Sequence, residues 1–178
     1  MWSSTIDRVR PRILFRWLLL AGWPVHLVFG ASATVTLLLA IASGQPSIAD
    51  AMIFVTAQYV LGLCISFAVH ELGHLMVLSR TRGVGGLTLE RSMWRISVRP
   101  HGSLRGRDAA LAAVSGPGCC IVVGVALWLV APDLSLHGWY LAHAIFLTPL
   151  FGDGRALLAG LRWWNRRLST SGVGDESV

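Results

Sequence analysis

Residues 70–74 read His70-Glu71-Leu72-Gly73-His74 and close an apolar run, 51–69, long enough to cross a bilayer as a helix. Two histidines four apart lie on one helical face, one turn from each other. Two imidazoles so placed can hold one metal ion, zinc above all. The carboxylate of Glu71 can then take a proton from a water that the metal activates. Ionisable groups inside an apolar span are costly, so such a cluster is a functional site by default. The rest of the chain is read as what surrounds and completes it.

Composition agrees with a membrane setting. Of the 178 residues 54% are hydrophobic and 13% charged, against about 25% charged in a soluble domain. The fold class expected is an all-α polytopic membrane protein. It has about four transmembrane helices and a short membrane-associated β-hairpin between the second and third. The spans run over 17–42, 51–79, 108–130 and 138–163. Pro24 and Gly22 are expected to kink the first. Ser115-Gly116-Pro117-Gly118 is expected to interrupt the third, and Thr148-Pro149 with Gly152-Asp153-Gly154 the fourth. Residues 83–106 differ. Leu87 and Leu89, then Trp94, Ile96 and Val98, alternate with polar neighbours, which is the period of half-exposed strands. The domain division is 1–16 as a cytosolic N-terminal segment, 17–164 as the membrane-embedded domain, and 165–178 as a disordered cytosolic tail.

All fifteen basic residues are arginine. Those at 8–16, 80–107 and 162–167 fall on one side of a four-span chain, and the short opposite loops carry Asp50 and Asp133 but no Arg. The positive-inside rule places both termini and the hairpin in the cytosol. The net charge of +6 is thereby accounted for by membrane orientation, and nucleic acid is not expected as a partner. Cys64, Cys119 and Cys120 all lie in apolar runs and read as small buried hydrophobes.

A catalytic zinc site has three protein ligands and one open position. Beyond His70 and His74 the candidates inside spans are Glu71, Asp153, His26, His143 and the cysteines. Depth separates them. His70 is ten residues from Arg80, Asp153 nine from Arg162, and Gly116 nine from Arg107. Each therefore lies roughly 14–15 Å in from the cytosolic end of its helix. His143 is ten residues further out than Asp153 and is expected too distant to share the ion. His26 is not excluded by depth. Asp153 is preferred because it is anionic and flanked by glycines. It could instead pair with Arg155, and Gly116-Pro117 reads equally as a close-packing site between helices or as part of a substrate groove.

The order of these motifs resembles the site-2 protease family of intramembrane zinc metalloproteases. The matching residues are His70-Glu71-Leu72-Gly73-His74, Ser115-Gly116-Pro117, and Pro149 followed by Gly152-Asp153-Gly154, and the likeness covers roughly residues 51–161. The resemblance implies one zinc per chain held by His70, His74 and Asp153, with Glu71 as general base. It implies a zinc metalloendopeptidase of minimal form, without PDZ or nucleotide-sensing domains, in a bacterial cell membrane. Its substrate would be a membrane-spanning or membrane-anchored regulatory protein, pairing with the edge of the 83–99 hairpin. Family members carry Asn shortly after the Gly-Pro and before the Pro of the Asp-Gly motif. Here Gly118, Cys119 and Cys120 follow the first, and 143–148 holds no Asn. Three other readings stay open. They are a membrane metalloprotease taking a later Glu as third ligand, a metal-binding interaction partner without activity, and a transporter.

Overall fold

A computed structural model of the chain describes residues 2–6, 16, 20, 22–91 and 96–169. The architecture is mostly helical, with a small antiparallel sheet at one end. Strand β1 (Trp2–Ile6) precedes helix α1 (Trp23–Ser43) and helix α2 (Pro46–Leu78). Strands β2 (Val84–Arg91) and β3 (Ile96–Arg105) lead into α3 (Gly106–Val130). A short turn of 3-10 helix, Pro132–Leu134, brings the chain to α4 (His137–Leu147), α5 (Gly152–Arg162) and β4 (Arg167–Ser169).

Helices α1, α2 and α3 are each long and apolar enough to cross a membrane, and α4 with α5, bent by 47° at their break, are so only when taken together as one span. The helices expose large apolar side chains such as Ile41, Val122, Leu129 and Val130, which suits lipid as the neighbour. In the most apolar stretch of each, 6% of residues are buried in α1, 17% in α2 and 39% in α3. Helix α3 is therefore the central post, and α1 leans on the outside.

Several expectations are corrected here. Pro24 sits in the first turn of α1, just after a bend at Gly22, where its missing N–H costs nothing, and residues 17–19 and 21 before it lie outside the described residues. Helix α3 is not interrupted at Gly116-Pro117 but runs through it with Pro117 inside. Helix α2 begins at Pro46, before the expected 51, and winds as a π-helix over Gln58–Cys64. Such a turn leaves carbonyls outside the usual ladder. The Tyr140 hydroxyl donates to the Leu61 carbonyl at 2.9 Å, and Trp139 Nε1 donates to Gln58 Oε1 at 2.9 Å. Gln58 Nε2 in turn donates to the Leu134 carbonyl. The outer half of α2 is thus tied to α4 and the turn before it.

The expected hairpin is present as β2 and β3, with Thr88 opposite Arg99. It is part of a larger sheet in the order β1-β2-β3-β4. The N-terminal strand pairs with β2, and Arg167–Ser169, at the start of the stretch expected as a tail, pairs with β3 over Ser103–Arg105. Leu87 and Leu104 of the sheet pack on Leu75, Leu78 and Ala112. That cluster fixes the sheet to the ends of α2 and α3 nearest the arginines. Arg8, Arg10 and Arg12, the hairpin tip with Trp94, and the tail from 170 lie outside the described residues.

Candidate metal centre

His70 and His74 stand on the final helical stretch of α2, which has one face against α3. The approach of the two helices is close because two glycines meet. A Cβ at Gly73 would lie 2.5 Å from the Ser115 carbonyl oxygen, and one at Gly116 would lie 2.4 Å from His74 Nε2. Gly116 is thus the floor on which the His74 ring rests, so close packing, one of the two roles read from the sequence, is present here. The same contact orients the ring: His74 Nδ1–H donates to the Ala112 carbonyl at 2.7 Å. Replacing Gly116 by Ala is expected to push the His74 ring aside and weaken metal binding at least tenfold, with little loss of helix content. Chelator competition and circular dichroism measure the two effects.

Asp153 arrives from the other side. The chain leaves α4 at Thr148-Pro149, turns, and starts α5 with Asp153 in its first turn, where an acid is favoured. The turn is tight enough that a Cβ at Gly154 would lie 1.9 Å from the Thr148 carbonyl oxygen, so only glycine serves. Asp153 Oδ2 lies 3.0 Å from His70 Nε2 and 3.4 Å from His74 Nε2, and the two Nε2 atoms are 3.1 Å apart. Arg155 does not compete for it; its guanidinium donates to the Leu150 carbonyl.

These three residues form a group that could hold a metal ion. Their spacing fits one: tetrahedral ligands about 2.0–2.1 Å from zinc stand roughly 3.3 Å apart. The chemistry fits as well. A neutral His74, its proton on Nδ1, turns a lone pair toward the carboxylate oxygen. Two such acceptors face each other stably with a metal cation between them or with a proton shared between them.

The site is closed behind and open in front. The side chains of His70 and His74 are 6% and 12% exposed, whereas Asp153 is 25% exposed. Phe146 stacks edge-on to His70 and lies against Phe151, which walls the rear from solvent. Glu71 is partly buried, one residue round the helix from His70, within electrostatic reach of His74.

Two residues need correction. His143 is not remote: its Nδ1 lies 3.1 Å from His70 Nδ1, on the side of the ring away from Asp153. Cys120 is not only a small hydrophobe. It is fully buried, its thiol donates to the Ser66 carbonyl, and with His70 and His143 it forms a second group of metal-ligand type that shares His70. The available signal for His143 was that it is ionisable inside an apolar run. Of the remaining candidates, His26 bonds Tyr59 and does not join the site. No family model, no curated protein and no solved structure matches the chain.

Proposed function

We propose that the chain is an intramembrane zinc metalloprotease of the site-2 type, cleaving a membrane-spanning or membrane-anchored protein. The observation that carries this reading is the meeting of His70, His74 and Asp153 at one point within apolar helices, with Glu71 beside them. A zinc ion there would supply Lewis-acid polarisation of a peptide carbonyl and a water acidified towards a pKa of about 7. His70, His74 and Asp153 would hold the ion. Glu71 takes the proton from the attacking water and returns it to the leaving amine nitrogen. The open side at Asp153 is where water and the peptide enter, while Phe146 and Phe151 keep the rear dry.

On this reading the arginine bias favours the cytosolic side for the sheet, the termini and the mouth of the site, and the resemblance to site-2 proteases favours a bacterial cell membrane. A substrate helix has to unwind before its peptide bond is reachable, and pairing with a strand edge holds it extended. Here β1 covers β2 and β4 covers β3 over Ser103–Arg105. Among the described residues β3 from Ile96 to Gly102 pairs only with β2, so that edge is the docking strand. The expected result is about one zinc per purified chain and cleavage of a membrane-anchored substrate that stops on chelation by 1,10-phenanthroline and returns with zinc. Cleavage insensitive to the chelator would sink the proposal.

A further inference from the structure

Behind His70 lies a file of hydrogen bonds whose direction can be worked out. The Ser66 hydroxyl is 2.9 Å from the Leu63 carbonyl, which can only accept, so the hydroxyl proton points there. Ser66 Oγ then has lone pairs for its other neighbour, His143 Nε2 at 3.1 Å, and receives the proton on that nitrogen. A neutral His143 protonated on Nε2 has a bare Nδ1. That atom lies 3.1 Å from His70 Nδ1, which must therefore be the donor. His70 so protonated presents a bare Nε2 on the opposite side of its ring, toward Asp153 and His74. His70, His143 and Ser66 are 4%, 3% and 1% exposed, so water does not compete for these bonds. Ser66 is held in turn by the Cys120 thiol on its carbonyl, and the His143 ring by Phe67 and Phe146 at 4.9 and 5.3 Å.

We propose that His143, backed by Ser66, is a positioning residue that fixes His70 as the tautomer able to bind metal through Nε2. This rests on the metal reading of His70, His74 and Asp153. A partner on the far nitrogen of a ligating histidine orients the ring and raises its basicity, and its loss costs about 10–100-fold in metal affinity. Asparagine at 143 places an amide oxygen where Nδ1 stood and keeps an acceptor for His70; leucine keeps the bulk and removes it.

The test is zinc affinity of the purified full chain by chelator competition, with the visible spectrum of the cobalt-substituted protein as a second readout. His143→Leu is expected to bind zinc about 10–100-fold more weakly and to shift the cobalt bands. His143→Asn is expected to stay within a few-fold of the wild type, and Ser66→Ala to fall between. Equal affinity and spectra for wild type and His143→Leu would overturn the relay while leaving the metal site standing. A wild-type protein that binds no zinc would instead overturn the metal reading and the relay with it. Nitrogen-15 spectra of histidine in the zinc-loaded wild type need no variant. They are expected to place the His143 proton on Nε2, and a proton on Nδ1 overturns the proposal.

Discussion

Asp153→Ala is expected to empty the site while leaving the fold in place. Asp153 is 25% exposed, and its carboxylate faces the two imidazoles. In stability terms the substitution removes an acid from a helical first turn, worth about 0.3–1 kcal/mol. In binding terms it removes the only anion among three ligands, and the loss should exceed the roughly 100-fold upper range for outer-shell partners. Metal analysis of the purified variant should find little zinc, with circular dichroism near that of the wild type. Unchanged zinc content would rule Asp153 out as a ligand and return the question to the cluster of His70, Cys120 and His143.

Glu71→Gln is the complementary experiment, separating an enzyme from a protein that merely holds a metal. The amide has the shape of the carboxylate and leaves His70, His74 and Asp153 untouched. It has no basic oxygen for a water proton. Zinc content should be that of the wild type, and cleavage should fall about 10²–10⁴-fold, the range for loss of a general acid–base group. Cleavage at the wild-type rate would remove Glu71 from the mechanism. An inactive wild type that nevertheless binds zinc through Asp153 would favour the interaction-partner reading, toward which the missing Asn residues already lean.

Helical periodicity and depth made much of the site legible. His70 and His74 share a face because they are four apart, and the arithmetic of rise brought Asp153 and Gly116 to their level. Both steps need only a continuous α-helix, and α2 from Ile65 and α3 are continuous α-helix. The arithmetic failed at His143 because the chain there does not advance as an α-helix. Between His143 and Asp153 the chain leaves the helix at 148–151 and bends by 47°, so that both residues reach His70. Strands β1 and β4 were missed for another reason. Edge strands are recruited through backbone hydrogen bonds, which leave little mark on side-chain pattern. At Gly116-Pro117 the expected interruption of the helix is absent, whereas the close packing also expected there is present. Proline inside α3 is tolerated, and the glycine beside it makes room for an imidazole.

The π-turn of α2 separates two tasks that one long helix would otherwise combine. An added or lost residue in an unbroken α-helix turns everything beyond it by about 100°. Over Gln58–Cys64 the helix already carries the slack for such a change, and Trp139 and Tyr140 grip it there. If the helix spans a bilayer, a change of length before this turn would be taken up there rather than passed on to His70 and His74. Reach across a bilayer and aim at a metal ion would then be set in different halves of the same helix.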